Sequence, residues 1–241
     1  MTRYLMIHLY GPLQSWGGVA VGEVRGNERC PSRSGVLGLV AAALGIDRSD
    51  DAAHEALHHH LGFGVRICNP GTLVRDYHTA QVPSQRKGAN WQTRSDELAE
   101  PKINTVLSTR DYAADALFAV ALWEQYPYDL QKIVDAFASP TFHLYLGRKS
   151  CPPGLPIKPK MVEAETLKAA FLRFRLPEPV VALFSETRTD INGLEIRFDH
   201  CKLVDEATRH VPRYDRIASR SRWTFVPRTE YSALLPENKE S

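Results

Sequence analysis

A polar stretch of about thirty residues, Thr79–Thr109, separates two apolar strand segments of this chain and has little apolar periodicity of its own. A compact domain rarely tolerates a structureless segment of that length, so the stretch is either disordered or a projecting functional arm. The fold must therefore be one that accepts a long insertion between two strands.

The segments around this arm follow the order strand, helix, strand, strand, arm, strand, helix, strand. A serine N-cap, apolar residues at helical spacing and a closing glycine delimit the first helix, which is expected to pack against a sheet. This order predicts an α+β, ferredoxin-like fold with an insertion in its middle. The predicted strands are Tyr4–Leu9, Gly62–Ile67, Leu73–Tyr77, Ala116–Leu122 and Thr141–Leu146, and the predicted helices are Gly35–Gly45, a short one from Asp50 that stops at Gly62, and Tyr128–Ala138.

After Cys151 the pattern changes to short apolar segments joined by polar turns. We therefore predict two parts, residues 1–152 with the insertion at about 79–109, and residues 153–241 as a small β-rich C-terminal domain. The predicted C-terminal strands are Ala170–Leu176, Val180–Ser185, Leu194–Asp199 and Trp223–Val226, and the polar tail Pro236–Ser241 is expected to be frayed.

The composition limits the class of protein but not its partner. Hydrophobic residues make up 43% and charged residues 24%, which is ordinary for a soluble globular chain. No apolar run approaches the roughly 20 residues that span a bilayer, so we expect a cytoplasmic protein with no membrane partner. Four widely spaced cysteines match neither a zinc site nor a disulfide framework, and reduced thiols are expected.

The net charge is only +2, but the charge is unevenly distributed. Residues 141–160 hold four basic and no acidic residues, and residues 209–228 hold six arginines against one acid. Residues 46–55 show the reverse, with four acids against one arginine. Basic segments of this kind can form the electrostatic surface for a phosphate-bearing partner, although solvated charged faces explain the same clustering.

Two segments place polar side chains where a phosphate or a base can bind. Arg33 and Ser34 stand at the predicted start of the buried helix, where unpaired N–H groups favour anions; plain capping explains the serine equally well. The loop Gly11–Gly17 carries the amide of Gln14 and the indole of Trp16. This loop could stack a base and read its edge, or Trp16 could simply cover one end of the core.

A third segment, Tyr145–Pro152, follows the last predicted strand of the first part. Its glycine turn carries Arg148 and Lys149, which suits a backbone phosphate. With Tyr145 and Lys149 nearby, His78 could activate a ribose 2′-OH in a metal-independent ribonuclease. Alternatively, His78 hydrogen-bonds at a strand end or touches RNA without chemistry. The sequence shows no triad, P-loop or ligand cluster, so no catalytic residue, metal or cofactor is predicted.

Four blocks of the sequence together resemble the signature blocks of the CasD family, CRISPR-associated subunits of the type I-E Cascade surveillance complex within the RAMP superfamily. The blocks are Gly11–Gly17, Pro31–Leu39, Arg75–Thr79 and Tyr145–Pro152. The resemblance implies an RRM-like RAMP domain with an inserted β-hairpin thumb, which would be the arm at residues 79–109. It implies a non-catalytic, crRNA-binding role in antiviral defence, and the alternative is a metal-independent crRNA-processing endoribonuclease, as in the related type I-C subunit.

The resemblance also implies partners and contacts. The partners would be the 5′ handle of the crRNA, the adjacent Cascade backbone subunit and the large subunit, with target DNA reached only through the assembled complex. The candidate RNA-binding residues are Gln14, Trp16, Arg33, Ser34, His78, Arg110, Tyr145, Arg148 and Lys149, together with Arg86, Lys87, Arg94 and Lys102 in the thumb.

Overall fold

The computed structural model of the protein describes residues 1–18, 20, 22–85, 88–187, 190–219, 222 and 224–236. The strands are β1 (Thr2–Tyr10), β2 (Leu13–Gln14), β3 (Val24–Arg25), β4 (Leu61–Asn69), β5 (Thr72–Pro83), β6 (Ile103–Ala114), β7 (Leu117–Glu124), β8 (Lys160–Ala164), β9 (Glu195–Phe198), β10 (Arg209–Ser219) and β11 (Thr224–Leu234). The helices are α1 (Arg33–Leu44), α2 (Asp51–His60), α3 (Arg94–Leu98), α4 (Leu130–Ala138), α5 (Leu167–Arg173) and α6 (Glu178–Glu186), with a 3₁₀ turn at Val204–Glu206.

A seven-stranded sheet in the order β10-β11-β9-β4-β7-β1-β8 forms the centre of the molecule. Its last four strands, β4-β7-β1-β8, are antiparallel neighbours, with the first and third strands of the chain order in the middle. With α1 and α4 as the two connecting helices, this is the ferredoxin-like arrangement, and the predicted α+β class is confirmed.

The fourth strand of this arrangement is not where the sequence predicted it. The prediction of a strand at Thr141–Leu146 is wrong, because these residues form a loop and β8 pairs with β1 instead. The N–H groups of Thr141 and Phe142 donate to the carbonyls of Ala43 and Ala42, at 3.1 Å each. The segment therefore satisfies the last turn of α1, where helix carbonyls have no internal partner.

Both faces of the sheet are buried. In β1, Leu5, Ile7 and Leu9 point into a core shared with α1 and α4, while Tyr4 and Met6 point into a second core shared with α5 and α6. Burial on both faces explains why these strands are apolar without alternation. It also means that the sheet surface on which RRM domains stack bases is covered in this protein.

The C-terminal residues differ most from the prediction. The strands predicted at Ala170–Leu176 and Val180–Ser185 are wrong, because α5 and α6 occupy these positions. The N-cap side chain of Thr166 accepts a hydrogen bond from the Ala169 N–H at 3.1 Å and starts α5. Short apolar runs do not distinguish a strand from a buried helix by periodicity alone.

The remaining C-terminal predictions fare better. The strand predicted at Leu194–Asp199 is confirmed as β9. The strand predicted at Trp223–Val226 corresponds to the start of β11, which begins at Thr224, and Trp223 lies outside the described residues. Strands β8 to β11 all follow residue 152, yet they belong to the same sheet as β1, β4 and β7. The domain boundary at residue 152 stays a prediction. Residues 237–241 of the tail lie outside the described part of the chain.

The polar arm is a β-hairpin. Strands β5 and β6 pair antiparallel from Thr72 opposite Ala114 to Pro83 opposite Ile103, so the hairpin is longer than the 79–109 predicted. The short helix α3 lies near the tip of this hairpin, and a capping box between Thr93 and Asp96 caps its N-terminus. Short strands β2 and β3 flank β6 at the base. None of the helices in the described part of the chain is both long and apolar enough to cross a membrane.

Candidate nucleic-acid interface

An open cleft of about 1220 Å³ lies over the exposed face of α1. Its walls are the loop after β2, the loop at residues 142–147 and the outer side of the β10–β11 hairpin. The cleft therefore brings together three chain segments that are far apart in sequence, and it includes several of the predicted site residues. We call it the α1 cleft.

The floor of the α1 cleft is made of small residues. Ser34, Gly35, Gly38 and Ala42 recur at helical spacing and line it. The hydroxyl of Ser32 accepts a hydrogen bond from the Gly35 N–H at 3.1 Å, which caps the helix at the end of the cleft. A Cβ atom at Gly38 would meet nothing within 4 Å, so the helix backbone is open to the cleft at this point.

Exposed aromatic rings form the rim of the α1 cleft. Phe142, Tyr145 and Tyr214 are 45%, 42% and 62% exposed. Rings of this kind stack bases of single-stranded nucleic acid without strong sequence preference. Sequence reasoning selected only Tyr145, although Tyr214 lies in the arginine-rich segment 209–228 whose role was open.

Charged side chains of both signs also line the α1 cleft. Arg48 and Arg213 are the cations, and Arg213 pairs with Glu230 at 3.1 Å and with Glu28 at 3.3 Å. The carboxyls of Asp47 and Asp215 lie in the same lining. This mixture suits the donor and acceptor edges of bases better than a continuous run of phosphates.

The predicted contacts Gln14 and Trp16 are buried. The Gln14 amide donates to the Ala116 carbonyl at 2.6 Å and the Leu9 carbonyl at 3.3 Å, and its oxygen accepts from the Trp16 indole N–H at 2.9 Å. Trp16 packs its ring over Gly35, where a Cβ atom would come within 3.1 Å. Both side chains hold the cleft wall in place, and their direct contact with RNA stays a prediction.

Arg33 is also buried, and it points away from the helix N-terminus. One of its nitrogens pairs with Asp199, and the other donates to the carbonyls of His58 and Leu61 at 2.6 and 2.7 Å. Burial lowers the pKa of Arg33, although Asp199 opposes that shift. The structure therefore uses Arg33 to join α1, the end of α2 and the residue after β9, while Ser34 remains half-buried in the cleft lining.

The loop Tyr145–Pro152 divides its residues between framework and surface. Gly147 has φ +89°, and a Cβ atom there would lie 1.8 Å from the Ser15 carbonyl oxygen. Arg148 donates to the carbonyls of Asp111 at 3.2 Å and Arg25 at 2.9 Å. Its guanidinium also stacks on the Tyr112 ring, 4.7 Å from the ring centre. Tyr145 and Lys149 are exposed, so of the predicted contacts in this loop they are the two available to a partner.

On the thumb, defined here as residues 72–114, the predicted residues are spread along the hairpin. Arg110 lies opposite Asp76, and the His78 imidazole is 3.3 Å from the Asp76 carboxylate. Arg94 pairs with Glu97 and donates to the Gln81 carbonyl. Lys102 is exposed beside the tip, and Arg86 and Lys87 lie outside the described residues.

The groups of the hypothetical ribonuclease lie on two separate elements, His78 on β5 and Tyr145 and Lys149 in the loop Tyr145–Pro152. His78 pairs with Ser108 across the hairpin, three residues from the Asp111 that contacts Arg148. At 3.4 Å per residue that is about 10 Å along β6. Tyr145 and Lys149 belong to the loop that packs against Ser15. Within the described residues, no group of three His, Cys, Asp or Glu side chains is arranged to hold a metal ion.

Comparison with known proteins finds relatives over nearly the whole chain. A family model described as "CRISPR-associated protein (Cas_Cas5)" matches residues 4–229. The "CRISPR system Cascade subunit CasD" of Escherichia coli (strain K12) is 33% identical over an alignment of 210 residues, which covers 82% of this chain and 87% of that protein. A solved chain described as "CRISPR RNA-guided surveillance complex" superposes with a TM-score of 0.61 at 26% identity, covering 97% of this chain and 89% of that one. A second solved chain, described as "Crystal structure of Cas protein", superposes with a TM-score of 0.57 at 26% identity, covering 97% of this chain and 95% of that one.

Proposed function

The chain belongs to the Cas5 family of CRISPR-associated proteins, and from that premise we propose that it is a non-catalytic, crRNA-binding subunit of a type I-E Cascade surveillance complex in antiviral defence. In this role it grips the 5′ handle of the crRNA at one end of the complex. The guide part of the crRNA remains free to pair with target DNA, which the subunit meets only through the assembled complex.

The observation that carries this proposal is the aromatic rim of the α1 cleft. Three exposed rings from two distant segments surround a floor of small residues, and the exposed Lys149 lies four residues after Tyr145 in the same loop. Sequence-specific RNA binding targets single strands whose bases are splayed and stacked on aromatic side chains. A handle with bases in the cleft and phosphates towards Lys149 satisfies both the rings and the cation.

The thumb has exposed apolar side chains that suit contacts with other protein subunits. Leu73, Tyr77 and Val106 are exposed on a hairpin that has no helix packed along its length within the described residues, except near α3. Exposed apolar side chains on a projecting element are typical of a protein contact. Leu73 and Tyr77 lie on one face of the hairpin and Val106, which pairs with Ala80, lies on the other, and we assign these faces to the adjacent backbone subunit and the large subunit of Cascade.

Variants at the rim test the proposal. The purified protein is titrated with a labelled 5′-handle RNA, and Tyr145→Ala and Tyr214→Ala are each compared with the phenylalanine substitution at the same position. Removal of one stacking ring is worth about 1–3 kcal/mol, so we expect roughly five- to 150-fold weaker binding for each alanine variant. The phenylalanine variants keep the ring and should bind within about twofold of wild type. Equal affinity of the alanine and phenylalanine variants would place the RNA elsewhere.

The endoribonuclease alternative has a separate test. Labelled repeat RNA is incubated with the protein in EDTA, and the products are separated on a denaturing gel. We expect uncleaved RNA. Cleavage that disappears in His78→Ala would contradict the non-catalytic role and leave the RNA-binding part of the proposal intact.

A further inference from the structure

A second cavity, separate from the α1 cleft, is lined almost entirely by hydrogen-bond donors. Its volume is about 350 Å³, at the lower end of the range for small-ligand sites. The basic side chains in its lining are Arg33, Arg216, Arg228, His58, His59 and His200. The other donors are the side chains of Gln125, Thr229 and Tyr231.

The single acid in this lining is already fully engaged. One carboxylate oxygen of Asp199 pairs with Arg33, and the other accepts from Arg228 at 2.8 Å. The side chains of Arg33 and Arg228 are only 8% and 9% exposed, so their charges are largely removed from water. Arg228 also donates to Asp215 at 2.6 and 2.9 Å and to Glu230 at 3.2 Å, so each of its nitrogens already has a carboxylate acceptor. Among the described residues, the Nε atom of Arg33 meets no acceptor although it is buried. A buried donor of this kind costs free energy until an acceptor arrives.

A phosphate group matches this lining better than a carboxylate does. Several donors converge from β11, the end of α2 and the residues after β9, and a phosphate offers more acceptor oxygens than the two of a carboxylate. Next to the cavity, the His59 ring stacks on Tyr126 with ring centres 4.3 Å apart and planes 8° apart. Tyr126 is half-exposed, so a flat aromatic surface adjoins the donor-lined cavity.

We propose that this cavity binds a phosphate group of a nucleic acid, at a site distinct from the α1 cleft. The linings of the two sites share no residue, although β10 contributes to both, with Arg213 and Tyr214 in the cleft and Arg216 in the cavity. Arg216 is the adjustable member of the site. It is partly exposed, and its partner Glu55 at 3.0 Å is exposed as well.

The test uses Arg216→Gln, with Arg3→Gln as the matched control. Arg3 is likewise an exposed arginine in a surface ion pair, 3.3 Å from Glu124, and it lies outside both sites. The full chain is titrated with inorganic phosphate at constant ionic strength, and binding is followed by ³¹P NMR and by the shift in melting temperature. A charged hydrogen bond is worth enough that Arg216→Gln should weaken phosphate binding about tenfold. Arg3→Gln should bind as wild type does.

Two further arms make the outcome decisive. His200→Ala, at an exposed position of the lining, should also weaken phosphate binding and covers the case in which Arg216→Gln folds poorly. Uridine monophosphate should bind at least as tightly as inorganic phosphate and compete with it. Absence of saturable phosphate binding, or equal affinity in wild type, Arg216→Gln and His200→Ala, would overturn the site. Phosphate binding that excludes the nucleotide would overturn its assignment to nucleic acid in favour of a free anion.

Discussion

Substitutions at Gly38 can test whether RNA occupies the α1 cleft without lowering the stability of the fold. It stands in the middle of α1, lines the cleft and has open space where a side chain would be. A glycine in the interior of a helix is about 0.8–1.0 kcal/mol less favourable than alanine. The chain thus carries a destabilising residue at a floor position where no side chain covers the helix backbone.

Two substitutions at Gly38 should differ in their effect on RNA binding but not in their effect on stability. Gly38→Ala should raise the free energy of unfolding by about 1 kcal/mol, which raises the melting temperature by about 2–4 °C in a chain of this size. Gly38→Leu should also be at least as stable as wild type, because leucine is a good helix former and the site is open. Its side chain would lean towards Ser34 and Gly35 and occupy the cleft floor.

The assay pairs thermal unfolding with titration of labelled handle RNA. If one base occupies the cleft, Gly38→Leu should lose the free energy of one stacked base, about 1–3 kcal/mol, or roughly five- to 150-fold in affinity. Gly38→Ala should keep most of the wild-type affinity. A Gly38→Leu protein that is stable and binds RNA as tightly as wild type would refute the assignment of RNA to this cleft.

Three other predictions concern the framework. Gly147→Ala should lower the free energy of unfolding in urea by more than about 2 kcal/mol, because φ is positive and the new Cβ meets the Ser15 carbonyl; a loss below about 0.5 kcal/mol would contradict this contact. Burial, assisted by nearby Lys160, lowers the pKa of His8 to about 4, so the native state holds it neutral. Its contribution is fully present above about pH 6.5 and is lost as pH falls towards 4, by up to about 3 kcal/mol, because only the unfolded chain takes up the proton there. Between pH 7.5 and 5, the free energy of unfolding in urea should fall more steeply for wild type than for His8→Met, which lacks the titrating group, and parallel pH profiles would contradict this. Asp199→Asn should cost about 3 kcal/mol, chiefly because the buried Arg33 loses its carboxylate partner, while Arg228 keeps Asp215 and Glu230; a cost under about 1 kcal/mol would contradict this role of the Arg33–Asp199 pair.

The central sheet and its helices were readable from the sequence because their signals are local. The apolar run of β1, the serine cap and closing glycine of α1 and the polar insertion each lie within a short window of the chain. The C-terminal helices α5 and α6 were missed because the corresponding local signals in their sequences are weaker. Their apolar segments are too short to show a helical period, and packing against the second face of the sheet decides their conformation.

The site was less predictable because polar residues look alike in sequence whether they satisfy the backbone or face a partner. Gln14 finds its acceptor 102 residues away, and Arg33 finds Asp199 at a separation of 166 residues. Tyr145 and Lys149 are exposed, whereas Arg148 is held by hydrogen bonds to backbone carbonyls of β3 and β6. Tyr214 carried no local signal beyond its arginine-rich surroundings.

By itself, then, the sequence determined the order of the main strands and helices from β1 to α4, the thumb and the family to which its four blocks point, because periodicity, caps and motifs are properties of neighbouring residues. Only the tertiary structure decided which cations are buried, which rings stay exposed, and that both faces of the sheet are covered. Those outcomes depend on contacts between residues more than a hundred positions apart, whose free energy exists only once the chain has folded.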